Sequence, residues 1–153
     1  YVDRWSDPLT WGGAYPPQKG FSVHIPAGQY VLVDQSVPEL KLVLVEGTLE
    51  WEDKGPGKRM KFNANYIFVN GGRLIAGTED KPYTGRLAIT LHGEADDPHL
   101  ETYGNKVLAV REGSVDMHGV PRDHTWTTLF VTSEPGENIL ILSTTVDWKI
   151  GEE

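Results

Sequence analysis

A glycine set at a fixed place between two short apolar runs recurs along this chain, and it restricts the fold more than any other feature. Leu42-Val43-Leu44-Val45-Glu46-Gly47-Thr48-Leu49-Glu50-Trp51 is the clearest copy. Val69-Asn70-Gly71-Gly72-Arg73-Leu74-Ile75-Ala76 and Val110-Arg111-Glu112-Gly113-Ser114-Val115-Asp116-Met117 repeat it, and Gly28-Gln29-Tyr30-Val31-Leu32 is a fainter version. Apolar residues at alternate positions mean strand, and a glycine at a fixed point means a sharp bend or a positive φ. From Gly28 to Gly47 is 19 residues, from Gly47 to Gly72 is 25, and from Gly72 to Gly113 is 41. The last interval is about two periods. Its middle holds Leu87-Ala88-Ile89-Thr90-Leu91 and Gly93, and from Gly93 to Gly113 is 20. Periods of about 20 to 25 residues suit one coil of a parallel β-helix with two or three short strands. They are too short for a βαβ unit of roughly 30 residues. An antiparallel sandwich or barrel, with strands about every 8–12 residues, is the alternative if paired hairpins coincide.

The expected fold is therefore all-β, a right-handed parallel β-helix (β-solenoid) with an irregular N-terminal cap. Gly28, Gly47, Gly71, Gly72, Gly93 and Gly113 are its turns. Residues 1–20 form the cap segment: Pro8, Pro16, Pro17 and Gly12-Gly13 deny it a ladder of its own, and Trp5 and Trp11 pack on the end of the core. Residues 21–153 supply the coils, in a single domain cut from a longer chain. Phe21–Ile25, Tyr30–Val33, Leu40–Trp51, Phe62–Ala76, Gly85–Gly93, Lys106–Met117, Trp126–Val131 and Ile139–Leu142 read as strands. Asp96–Glu101 has the start of a short helix, and the chain stops at Gly151-Glu152-Glu153 after an unpaired last strand. The expected core is Val31, Val43, Val45, Leu49, Ile67, Val69, Leu74, Ile89, Leu91, Val107, Val110, Val115 and Ile141, whereas His24 faces water.

Composition removes several classes of function. The 153 residues carry a formal charge of −8, which opposes a nucleic-acid surface. No apolar run approaches the roughly 20 residues of a membrane span, so membrane contact is expected only through other parts of the parent chain. There is no cysteine, hence no disulfide, thiolate metal site or cysteine nucleophile, and no Asn-x-Ser/Thr acceptor.

Glycoside hydrolysis needs two carboxylates flanking a bond. Glu50, Glu52, Glu79, Asp80, Glu94, Asp96, Asp97, Asp116 and Asp123 are candidates, but no tract singles one out, and no catalytic residue is assigned. His92, His99, His118 and His124 fall near Asp96, Asp97, Asp116 and Asp123, a mixture that binds zinc in other settings. Their spacing crosses turns and has no helical His pair, so no metal site and no cofactor are assigned. Asp116 and His118, two apart, share one side of a strand, and with Trp126 they form the candidate binding set, by hydrogen bonds and stacking on a sugar. Gly57-Lys58-Arg59-Met60-Lys61 is a basic island that can meet an anionic glycan or simply lie in solvent.

In their order, these pieces resemble a known family. Trp5-Ser6-Asp7-Pro8-Leu9-Thr10-Trp11-Gly12-Gly13, Ile25-Pro26-Ala27-Gly28, Val45-Glu46-Gly47-Thr48-Leu49 and Gly71-Gly72-Arg73-Leu74-Ile75-Ala76-Gly77-Thr78-Glu79 carry the likeness. Ile89-Thr90-Leu91-His92-Gly93 and Gly104-Asn105-Lys106-Val107-Leu108-Ala109-Val110 complete it. The chain resembles the eight-glycine extracellular domain of fibrocystin, the fibrocystin-like protein and the transmembrane and secreted hyaluronidases, and is closer to the fibrocystin branch. The resemblance implies an extracellular or cell-surface interaction module that binds a glycan or protein ligand and leads into a longer β-helix. The alternative it implies is part of a hyaluronan-degrading glycosidase.

Overall fold

A computed structural model describes residues 1–150 of the chain. They fall into two compact units, Tyr1–Gly119 and a second that begins at Val120. The expected stop at Gly151-Glu152-Glu153 lies outside the described residues.

Ten strands occur among the described residues, all in the first unit. They are β1 (Asp3–Arg4), β2 (Ser22–Ile25), β3 (Tyr30–Val33), β4 (Val37–Val45), β5 (Thr48–Trp51), β6 (Arg59–Asn70), β7 (Arg73–Ala76), β8 (Arg86–Leu91), β9 (Val107–Arg111) and β10 (Ser114–Met117). One sheet runs β1-β3-β5-β7-β10, and the other runs β2-β4-β6 and then divides. There β8 pairs with the first half of β6, from Arg59 to Ala64, and β9 with the second half, from Tyr66 to Asn70. Every ladder between these strands is parallel, so the antiparallel sandwich is not the arrangement. From β2 to β7 successive strands alternate between the sheets, and each from β2 to β6 pairs with the strand two further on, while β7 pairs with β10. That pattern is what a repeat of about 20 to 25 residues dictates when each copy gives one strand to each sheet.

Side chains of like position therefore line up. Val31, Leu49, Leu74 and Val115 are in register across the first sheet, and Ile25, Val45, Val69 and Val110 across the second. Val31, Val43, Val45, Leu49, Ile67, Val69 and Leu74 are fully buried, and Ile89, Leu91 and Val115 pack half-buried against them. Each such side chain is worth roughly 1.5–3 kcal/mol on burial. Three expected core members are not buried. Val107 pairs with Tyr66, one step out of phase with the inward Ile67–Leu108 position. Val110 continues the inward column but stands on the outermost strand and remains 41% exposed. Ile141 lies in the second unit and is 56% exposed.

The N-terminal segment does form a ladder: β1 runs parallel to Val31-Leu32. Trp5 is fully buried, with ring centroids 4.9 Å from Trp11 and 5.9 Å from Phe62, which in turn lies 5.3 Å from Trp51. The expected helix at Asp96–Glu101 is absent among the described residues, because the Asp97 carboxylate accepts the Glu94 N–H at 2.7 Å and closes a turn instead. Trp126–Val131 and Ile139–Leu142 do not form strands either. They meet only in one antiparallel bridge, Leu129 with Leu142.

The turn glycines act in two ways. Gly28 (φ 84°), Gly71 (φ 77°) and Gly93 (φ 144°) take the positive φ that the sequence suggested. Gly47, Gly72 and Gly113 do not. A Cβ on Gly47 would stand 2.3 Å from the Gln29 carbonyl oxygen, one on Gly72 2.5 Å from that of Val45, and one on Gly113 2.5 Å from that of Gly72. These three are glycine because the preceding repeat's backbone occupies the space of a side chain.

Candidate ligand-binding cleft

On the outward side of the first sheet, the pleat places Asp116 beside Ile75 and Arg73 beside Ser114. The Arg73 guanidinium donates to Asp116 Oδ2 at 3.1 Å, and the Ser114 hydroxyl donates to the same oxygen at 3.1 Å. Those two donors, Arg73 first, hold the Asp116 carboxyl below the usual carboxylate range. His118 is fixed through its backbone, donating to the Ala76 carbonyl at 2.9 Å and accepting from Tyr83 N–H at 2.7 Å. Asp116 lies on β10 and His118 just past its end, and both belong to the first unit. Trp126 belongs to the second.

In the same outward row, Glu50 pairs with Ile75, which pairs with Asp116. Glu50 is half-buried and receives the Tyr30 hydroxyl. Burial raises its pKa, against a smaller opposing effect from Lys81. His24 is exposed, as expected, with Nε2 2.8 Å from Glu46. Of the other histidines, His92 Nε2 meets Asn63 Oδ1 at 3.1 Å, and His99 and His124 are exposed. Among the described residues no three His, Cys, Asp or Glu side chains converge on a point.

The second unit holds a cleft of about 400 Å³, lined by Asp123, His124, Thr125, Trp126, Thr127, Thr128, Ser143 and Thr144. Two chain segments build it. The Ser143 N–H donates to the Thr128 carbonyl at 3.0 Å, the Ser143 and Thr128 hydroxyls meet at 2.7 Å, and Phe130 N–H donates to Ile141 at 2.8 Å. Behind the cleft, the Trp148 indole N–H donates to the His124 carbonyl. Asp147 is raised by burial but more strongly lowered by the backbone N–H groups of Asp123, itself and His124, so it is held in its ionised form. Trp126 is 75% exposed. An open indole offers a flat face for a pyranose ring, and the hydroxyls beside it both donate and accept. No lysine or arginine lines the cleft. Ser143 and Thr144 were not singled out from the sequence. Their signal is the pair of hydroxyl-rich tracts, Thr125-Trp126-Thr127-Thr128 and Ser143-Thr144-Thr145, flanking a turn.

Comparison with known proteins places these observations. The chain is 46% identical over 153 residues to fibrocystin-L of Homo sapiens and 41% identical over the same length to that of Mus musculus, covering 99% of this chain in each case. It is 36% identical over 152 residues to fibrocystin of Canis lupus familiaris, covering 98% of this chain. The chain spans only 4% of the length of each of these relatives. Residues 10–130 match the G8 domain family, a span that contains the glycine column and nearly all of both sheets. By that match and by these identities, the chain belongs to the G8 domain family.

Proposed function

We propose that this G8 domain is an extracellular interaction module of a large cell-surface protein, with a glycan or protein ligand held at the Trp126 cleft. In this reading the paired parallel sheets are coils of a right-handed β-helix that leads into a longer one. The observation that carries the proposal is an exposed indole set in a hydroxyl-lined cleft, the pairing of apolar face and fixed polar groups by which sugars are held. Asp116 is already committed to Arg73 and Ser114, so the principal contact is assigned to Trp126 rather than to Asp116 or His118. The position among very long relatives supports a modular role. A glycan array probed with the wild-type chain and with Trp126→Ala tests it: binding should be present in the first and lost in the second. Unchanged binding by Trp126→Ala overturns the assignment of the cleft.

A second reading is polysaccharide hydrolysis, and one observation favours it. Glu50, pushed toward its protonated form, and Asp116, held ionised, share an outward row two strand spacings apart, about 9–10 Å. Hyaluronan incubated with the chain, with and without calcium, and sized on a gel separates the readings. Shortening that Glu50→Gln abolishes supports an enzyme; unchanged size supports a binding module.

A further inference from the structure

The first unit carries four unpaired cations together in an otherwise acidic chain. Arg59 and Lys61 are two apart on β6 and both are exposed, with Met60 buried between them, so they share the outward face. Arg86 on β8 stands directly opposite Arg59 in the parallel register. The Arg86 N–H also donates to the Lys58 carbonyl at 2.8 Å, which brings Lys58 to the same end of the sheet. None of Lys58, Arg59, Lys61 and Arg86 makes an ion pair among the described residues, although the chain has 22 acidic residues to 14 basic ones. Asp53, on the loop beside Gly85, is occupied by the Thr84 N–H and hydroxyl and by the Gly55 and Gly85 N–H groups.

Like charges directly across a ladder destabilise a sheet. Here the Arg59–Arg86 pair sits about 4.8 Å apart at the backbone and Lys61 about 6.6 Å along the strand. We propose that this face binds a sulfated polysaccharide. The spacing selects the ligand: three or four cations within a few ångströms need several anionic groups per disaccharide, and a chain with a single carboxylate in each disaccharide spreads its charge too widely. Guanidinium groups take sulfate oxygens through paired N–H donors. The neighbouring outward residues, Ser36, Ala88 and Thr90, are small or polar, so the face offers no aromatic anchor for a protein partner and no apolar wedge for a bilayer. It belongs to the first unit and does not rest on the reading of the Trp126 cleft.

The test is titration of the chain with a heparin oligosaccharide by calorimetry at several salt concentrations, with hyaluronan and phosphatidylserine vesicles as contrasts. Heparin should bind with a salt slope of roughly 2 to 3, from release of its counterions. Arg59→Glu with Arg86→Glu should weaken binding at least about tenfold. Arg59→Gln with Arg86→Gln, which removes charge without reversing it, should weaken it less and serves if the first variant does not fold. Trp126→Ala should bind heparin as wild type does, and the double arginine variants should keep any binding to the Trp126 cleft. Heparin binding untouched by both double variants, equal binding of hyaluronan, or binding of vesicles without heparin overturns the proposal.

Discussion

Gly47 shows why a glycine can be required with an ordinary φ. Its missing Cβ would lie 2.3 Å from Gln29 O and 2.4 Å from Pro26 O, both backbone atoms that cannot turn aside. Gln29 occupies the corresponding place one repeat earlier, since Tyr30 pairs with Thr48, and there the Nε2 amide donates to Asp3 instead. Gly28, by contrast, has φ 84° and open space around a Cβ. Gly28→Ala should therefore cost about 1–2 kcal/mol, the left-handed penalty. Gly47→Ala should cost more, because a methyl group forces two repeats apart. Urea midpoints of the two variants check the order, and a larger loss at Gly28 would reject the contact explanation. The same neighbourhood tests the faces: Val45→Asp, at a fully buried position, should unfold the domain, while Glu46→Lys should leave the melting temperature nearly unchanged. The bends were legible in the sequence, but a glycine required by φ and one required by a neighbour's carbonyl look alike there. Only the register distinguishes them.

Between strands, the loops are tied to one another by side chains that sequence periodicity does not report. Asp53 is the clearest: Oδ1 accepts from Gly55 and Gly85 N–H at 2.9 Å each, and Oδ2 from Thr84 N–H and hydroxyl at 2.7 Å each. One carboxylate thus clasps the loop after β5 to the loop before β8. Asp53→Asn replaces an acceptor with a donor facing two donors and should cost about 1–2 kcal/mol, at the low end because water reaches the loop. Equal melting of variant and wild type would show that the clasp is idle. At this scale the strands of the first unit were readable because their apolar residues alternate: β5 and β7 fall within Leu40–Trp51 and Phe62–Ala76, whereas β4 and β6 each begin three residues earlier, at Val37 and Arg59. Ile139-Leu140-Ile141-Leu142 misled because a continuous apolar run marks strand propensity without supplying a partner ladder. The cleft was half legible. Trp126 announced itself, but the hydroxyls facing it come from a segment about 17 residues on, joined by a bridge no local pattern encodes.

The molecule is stabilised unevenly, since among the described residues every fully buried apolar side chain lies between Trp5 and Ala109. A chain ending at Gly119 should keep the cooperative melt of the full chain within a few degrees, measured by circular dichroism, and loss of that transition would contradict this account of where the core sits. Acid should act on it through groups of opposite sign. Asp34 accepts the Ser6 N–H at 3.0 Å and its hydroxyl at 2.6 Å, and these, with Arg4, outweigh burial and hold its carboxyl low. A lowered folded pKa means that Asp34 contributes stability above the unfolded value, about 3.9, and loses it as pH falls through the folded pKa. Glu50 is raised by burial, so the folded state favours its proton, and its ionised form costs stability once pH passes the folded pKa. Asp34→Asn should therefore melt below wild type at pH 7, and Glu50→Gln above it. The Glu50 difference should shrink first, as pH falls through its raised folded pKa, and the Asp34 difference only below about 3.9, as pH falls toward its lowered one. A Glu50→Gln variant that melts lower than wild type at pH 7 would mean that Glu50 is used as an anion, and would turn attention back to chemistry on that outward row.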